Sequence, residues 1–594
     1  MMTKSKLFLS LFMAGAIVGS ANAQSLKDAK AAIEAEQYDK AKDMLQNLVT
    51  KKPKDGESYF YLGQIYLINE KVDSAATIFN QGVTNAPKEK LNQIGLGIVD
   101  LEKGNAAEAE QKFTAATSTL GKKDYLPLYY VGRAYIDAPK PDYAKAIDYL
   151  TQARAKNQKD PDILVALGDA YSGIPNEASQ AYVNYRDALN INPNLVRAHV
   201  GQAVIQRRAQ AYDVALENLT EKATEYPNFG PIYRELAETQ LQFAKTFPDN
   251  SDEEKAKYEA EIKKAVDYYK KYLEVTGDKS VEANVRYADF LVWGQQYDEL
   301  KSVALQLSNV PGVDAKVYRY LGLIAVNQDG DFEKGVEYFD KLFAEADTSR
   351  LIDLDYLFAG FANIQTGKQD KGIPYLKKAL EKNPEVMPEI GSAGMLAFQQ
   401  GNYEVAAAIL SVPAQQQGTD YYYEANYVLG NANFRSGVAK KDAATAAAGA
   451  DSANVAPVDT ASYMPYFRNA LKVFDIIIKS NDQKVYDEYL AGALYLTGYV
   501  NISLDNVNPE TPELCKGLFV PAFTQLTQLL KDKQLQGKEL TEAERGYLVD
   551  AYNYIGYFHV TKEDYKSALA SFEETVKIAP DDEFAKAYIE YLKS

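Results

Sequence analysis

The sequence predicts an all-α fold, a right-handed α-solenoid of about thirteen helix-turn-helix units. Three observations carry this. Residue types recur at fixed offsets with a period of about 34 residues, the length of one two-helix unit. Prolines close several of these units, where a helix must stop. The 594 residues contain one cysteine, Cys515, so no intramolecular disulfide is available and stability must come from packing between helices.

Taken in order, the chain opens with Lys4 and Lys6 before an apolar run from Leu7 to Val18, followed by the small-x-small pattern Ala21-Asn22-Ala23. Residues 1–23 are therefore expected to be a bacterial-type signal peptide, with the mature chain starting at Gln24. The apolar run is shorter than the roughly 20 residues a membrane helix needs, and no cysteine stands at the cleavage point to take a lipid. The expectation is an exported chain, periplasmic or extracellular, with a peripheral place at the outer membrane included and no transmembrane anchor.

With Gly56 as position 1, Tyr59, Leu62, Gly63, Tyr66, Ala75, Phe79, Gly82 and Pro87 fall at positions 4, 7, 8, 11, 20, 24, 27 and 32. Similar sets return at Leu96, Gly97, Ala109 and Phe113; at Val131, Gly132, Ala146 and Leu150; and at Leu167, Gly168, Ala181 and Tyr185. Later ones include Tyr318, Gly322 and Phe339; Tyr356, Gly360 and Leu376; and Tyr552, Gly556, Phe572 and Pro580. Small residues at 8, 20 and 27 let two helices approach, and large ones at 4, 7, 11 and 24 fill the space between them. This pattern resembles the tetratricopeptide repeat, and the resemblance implies stacked helix pairs that wind into a superhelix with a concave binding groove.

The array is expected over 24–437 and again over 466–583, with a capping helix at 584–594. Between them, 438–465 is rich in Ala, Asp and Ser without apolar rhythm, and is read as a flexible loop. Phe247 to Glu261 and Asp505 to Val520 are read as further insertions on loops.

Acidic side chains outnumber basic ones, 82 to 65, giving a net charge of −17, so nucleic acid and anionic membranes are not expected as partners. Gly95-Leu96-Gly97 begins like a dinucleotide fingerprint but has Asp100 where the last glycine belongs. Asp329-Gly330-Asp331-Phe332-Glu333 has carboxylates at calcium-loop spacing, yet Lys334 takes the glycine position, and an inter-helix turn is the better reading. His199 and His559 have no second His or Cys nearby. No catalysis, cofactor or metal is expected, and the repeats leave no length for an appended enzyme domain.

The resemblance places the groove on the first helix of each unit, chiefly at positions 2, 5, 9, 12 and 13. Positions 5 and 9 read Phe60 and Gln64, Tyr129 and Arg133, Arg234 and Glu238, Arg319 and Leu323, Leu357 and Phe361, Tyr427 and Asn431, and Asn553 and Tyr557. Aromatic and arginine side chains are common interface anchors, which favours a protein partner bound through an extended peptide segment. The family's carboxylate-clamping grip would need Lys at 5 and Asn at 9 of one unit, which no unit provides. Tyrosine is abundant, 45 residues against the single Trp293, and suits amphipathic contact surfaces. The expected function is a non-catalytic interaction scaffold of the bacterial cell envelope. The alternatives are a carbohydrate or small-ligand binder, and a specificity subunit of an envelope enzyme complex.

Overall fold

A computed structural model describes residues 25–248, 251–449, 458–505, 507–508 and 510–594. The expected signal peptide, residues 1–23, lies outside the described residues. Every regular element among the described residues is helical, and the chain divides after Val313 into two compact bodies.

The first body holds eight helix pairs: α1 (Leu26–Glu34) with α2 (Tyr38–Lys51), α3 (Gly56–Ile68) with α4 (Val72–Asn85), α5 (Leu91–Glu102) with α6 (Ala106–Thr117), and α7 (Leu126–Asp137) with α8 (Tyr143–Lys156). It continues with α9 (Pro161–Ser172) and α10 (Ala178–Ile191), α11 (Val196–Arg208) and α12 (Tyr212–Glu225), α13 (Gly230–Ala244) and α14 (Asp252–Thr276), and α15 (Val281–Trp293) and α16 (Tyr297–Leu307). The second body holds α17 (Lys316–Ile324) with α18 (Phe332–Glu345), α19 (Asp353–Gln365) with α20 (Gln369–Lys382), and α21 (Met387–Gln399) with α22 (Tyr403–Leu410). Then come α23 (Tyr421–Gly449) with α24 (Met464–Ile478), a short α25 (Gln483–Glu488), α26 (Leu490–Leu504) with α27 (Val520–Leu535), α28 (Glu542–Thr561) with α29 (Tyr565–Ile578), and a closing α30 (Glu583–Lys593). Fourteen pairs stand where the period gave about thirteen; each body is an α-solenoid.

Within a pair, the first helix (A) and the second (B) meet where position 8 carries no side chain. A Cβ placed on Gly63 would lie 2.2 Å from the Phe79 ring, one on Gly97 2.5 Å from Phe113, and one on Gly498 2.1 Å from Phe523. The aromatic of helix B thus rests directly on the backbone of helix A. The turn between them uses one residue in the left-handed region, spaced by the repeat: Glu36, Glu70 and Gly104 at φ 58°, 57° and 78°. Asp329 ends a π-helical turn after α17, Gly330 turns at φ 65°, and the Asp331 side chain caps α18.

Two expected loops are corrected. Helix α23 runs on to Gly449, through the stretch from Val438 that lacked apolar rhythm. Alanine is the best helix former, so a run poor in bulk still propagates a helix. Lys441 ties it to α26 by donating to the Ser503 carbonyl at 2.6 Å, and Lys440 pairs with Glu404 at 2.8 Å. Residues 450–457 lie outside the described residues. The charged stretch before Glu261 is also helical from Asp252. It makes α14 25 residues long, with Ser251 as its cap and Asp252, Glu253 and Glu254 at the favourable end of the helix dipole. The described residues between α26 and α27 are irregular apart from a short turn at Pro512–Leu514, and the Asp505 carboxylate ties down the later part by accepting from the Lys516 and Leu518 amides, both at 2.9 Å. In α30, Tyr588 stacks on Phe572 at 5.0 Å and Ala585 is buried, which covers the last pair.

Gly63→Ala is expected to destabilise the first body by about 1–3 kcal/mol, because Phe79 has no room to yield. Gly546→Ala, in an exposed stretch of α28 with nothing within 4 Å of the added methyl, is expected to stabilise by about 0.5–1 kcal/mol. Denaturant unfolding followed by hydrogen exchange of α3–α4 and α28 checks both signs.

Candidate functional site

In the first body the A helices pack side by side, α3 on α5, α5 on α7, α7 on α9, α9 on α11 and α11 on α13. This row returns to its own start. The Gly230 amide donates to the Ala35 carbonyl at 3.3 Å, Gln37 donates to the Asn228 carbonyl at 3.1 Å, and Arg234 pairs with Glu36 at 2.5 Å. Arg197 of α11 lies 3.7 Å from Glu34 of α1. A Cβ on Gly230 would come within 2.9 Å of the Ala35 oxygen, so this junction also needs a bare backbone.

Inside the closed row lies a cavity of about 760 Å³. Its walls are tyrosines, Tyr38, Tyr61, Tyr125, Tyr129 and Tyr130, with Gln64, Leu67, Ile68 and Ile98 between them. The Tyr61 and Tyr130 hydroxyls are hydrogen-bonded, and the rings of Tyr129 and Tyr130 meet edge to face at 4.9 Å. Lys30 stands 5.0 Å from the centre of the Tyr61 ring.

Six carboxylates edge the cavity, Glu34, Glu57, Glu102, Asp137, Asp160 and Asp162, against three cations, Lys30, Arg133 and Arg197. Arg133 is committed to Asp169 at 2.5 Å and Asp137 at 3.0 Å, Arg197 to Asp162 at 2.6 Å, and Asp160 accepts from the Tyr125 hydroxyl. Burial raises the Glu57 carboxyl above its usual range, with Lys30 pulling it partly back, and burial likewise raises Glu102. Burial pushes the Tyr125 hydroxyl up to about 12, with the Asp160 hydrogen bond adding to it. For Lys30, burial works against the charge, but the Tyr61 hydroxyl and Glu57 outweigh it and its affinity for the proton rises.

The sequence-selected residues divide. Gln64, Tyr129 and Arg133 line this cavity. Phe60 does not: its side chain is fully buried against Phe79 and Tyr130, and it is withdrawn as a groove residue. Arg234 belongs to the closing contact and also sits over the Tyr272 ring, while Glu238 takes a bidentate pair from Arg286 at 2.6 and 2.7 Å. In the second body Arg319 grips Asp355 at 2.6 and 2.7 Å, and the Asp355 carboxylate is 0% exposed. Leu357 is buried, Leu323 is half-buried, and Phe361 is half-buried with its ring 6.4 Å from Phe358. Tyr427 packs beside Tyr489 at 5.6 Å, and burial pushes its hydroxyl up to about 12. Asn431 accepts from Arg435 at 3.1 Å. Asn553 accepts from Thr575 at 2.9 Å, and Tyr557 is buried against Tyr588. In the first body only Gln64, Tyr129 and Arg133 of the selected residues share the cavity.

Sequence reasoning missed Lys30, Tyr61, Glu102, Tyr130 and Arg197. Tyr61 and Tyr130 sit at position 6, next to the position chosen, and the paired aromatics Phe60-Tyr61 and Tyr129-Tyr130 were the available signal. Among the described residues no group of three or more His, Cys, Asp or Glu is placed to hold a metal ion, and no helix is long and apolar enough to cross a membrane.

Two family models, both described as tetratricopeptide repeat, match residues 26–90 and 549–582. The general transcriptional corepressor trfA of Dictyostelium discoideum is 35% identical over 82 residues, which is 14% of this chain and 6% of that protein. Among solved structures, the C-terminal part of a TPR repeat-containing protein from Cytophaga hutchinsonii is 16% identical, with 51% of this chain and 98% of that one covered and a TM-score of 0.27. A tetratricopeptide repeat protein from Parabacteroides merdae is 20% identical, with 45% and 97% covered and a TM-score of 0.29.

Arg234→Met removes the counter-charge of Glu36, whose side chain is only 14% exposed. It is expected to cost about 2 kcal/mol locally and to speed hydrogen exchange in α1 and α2 while α17–α30 stay unchanged. Arg319→Met strands the unexposed Asp355 carboxylate and is expected to cost about 3–5 kcal/mol in the second body, read as a lower denaturation midpoint there.

Proposed function

Because the chain is a tetratricopeptide-repeat protein, we propose that it serves as a non-catalytic scaffold holding extended segments of partner proteins along its helix-A faces, in the bacterial cell envelope. The observation that carries this reading is the tyrosine-walled cavity on the helix-A row of the first body. Tyrosine offers large, rigid contact area with a polar tip, the property that makes it an interface anchor. The export part rests on Lys4, Lys6, the apolar run and Ala21-Asn22-Ala23.

The same cavity supports a second reading, a carbohydrate or other small ligand stacked on the tyrosines, since its volume falls in the range of about 300–1,000 Å³ typical of small-molecule sites. A thermal-shift series with glycans separates the two.

Cross-linked affinity purification from envelope extracts tests the scaffold, with Gln64→Ala plus Tyr130→Ser as the groove variant. A specific protein recovered by the unaltered chain is expected to fall at least about tenfold in the variant, a change of about 1.4 kcal/mol. Equal recovery by both moves the contact away from this cavity. Fractionation of the chain with cytoplasmic markers overturns the export part.

A further inference from the structure

We propose that the cavity of the first body takes a cationic side chain, a lysine ammonium or arginine guanidinium presented by an extended partner segment. This deepens the scaffold reading and rests on it.

The argument is one of unfilled charge. Arg133 and Arg197 are already spent on Asp169, Asp137 and Asp162. Lys30 lies over Tyr61, close enough to Glu57 for the two to feel each other's charge. Glu102, exposed at the last turn of α5, stands at the cavity edge, and the half-buried Glu57 is acted on by Lys30. The carboxylates exceed the cations by six to three in a space walled by aromatic rings, and burial penalises the half-buried Glu57 until a positive group enters beside it. Tyrosine faces add an attraction specific to cations, worth about 0.5–2 kcal/mol per contact. The anionic character of the whole chain, net −17, draws basic segments from solution in the same direction. An acidic segment meets the opposite field, so the site discriminates by charge as well as by fit.

The peptide is the source to which the cavity is assigned because the helix-A row goes on from α11 to α13, and from α13 to α15 through the Arg286–Glu238 pair, giving an extended chain further surface to lie on. A free diamine has only the cavity.

The test is calorimetric titration of the full chain with a Gly-Ser peptide carrying a pair of lysines, the same peptide with norleucine in their place, the same with glutamates, and free spermidine. The lysine peptide is expected to bind at least about tenfold more tightly than the norleucine peptide, and its affinity to fall as ionic strength rises. Glu57→Gln and Glu102→Gln, neither of which breaks a salt bridge among the described residues, are each expected to weaken the lysine peptide about tenfold and to change the norleucine peptide far less. Hydrogen exchange of α3 and α5 confirms that both variants keep the fold.

Equal binding of lysine and norleucine peptides overturns the cationic class. So does a response in which neither glutamine variant changes the lysine peptide. Spermidine binding as tightly as the peptide overturns the peptide source and makes the cavity a small-amine site. If no peptide binds while the cross-linked partner is still lost in the Gln64→Ala plus Tyr130→Ser variant, the cationic class falls and the scaffold stands. If that partner is absent too, both fall.

Discussion

The fold depends on how closely helix A and helix B of each pair can approach. All fourteen pairs carry Gly or Ala at position 8; where it is alanine, at Ala29, Ala203, Ala237 and Ala288, the residue is buried. Where it is glycine, a large side chain from helix B occupies the place a Cβ would take, as Tyr185 does at Gly168 and Phe474 at Gly430. A longer residue there would force the helices apart or the ring off its rotamer, at a cost of about 1–3 kcal/mol in each unit. In a solenoid each unit touches mainly its neighbours, so the geometry of one pair, repeated, sets the small rotation between units. The return of α13 to α1 in the first body is the accumulated result of that rotation.

The arginines of the helix-A row do different work from the one their positions suggested. Arg133 reaches Asp169, and Arg319 reaches Asp355, in each case 36 residues on, so a guanidinium from one unit holds a carboxylate of the next. A partly buried ion pair adds little net stability once desolvation is counted. Its larger effect is on register, since any slip between neighbouring helices strands a charge. These side chains are the stitching of the concave face, and a ligand that recruited them would have to replace the bonds they already make.

The fold was legible because its code is local and periodic: a few offsets within about 34 residues specify each pair. Leu376 at Gly360, or Phe572 at Gly556, is readable from spacing alone. The cavity was only half legible. Gln64, Tyr129 and Arg133 follow the family's register, but Phe60 faces inward and its neighbour Tyr61 faces the cavity. Adjacent residues differ by about 100° around a helix, so a small rotation of α3 exchanges core for surface. The closing contact between Glu36 and Arg234 spans 198 residues and leaves no trace in any repeat, because it depends on the summed curvature of the whole row. The helical stretch to Gly449 was missed for another reason: lack of bulk was equated with lack of order, whereas alanine needs no large partner to stay helical.

The closing contact and the cavity of the first body share parts. Arg197 lines the cavity and also faces Glu34 of the first helix, and Tyr38, at the start of α2, belongs to the wall beside the closing residues. A ligand in contact with both α1 and α11 therefore binds the closed row and an opened row with different affinity. By linkage, whatever free energy it gains from the closed form is added to the closure itself, and whatever weakens the Glu36–Arg234 contact is subtracted from binding. An open groove has no such coupling, since its units meet a ligand one by one. An occupant that bridged α1 and α11 would be coupled in this way to the junction at Ala35 and Gly230, where the row returns to its first helix.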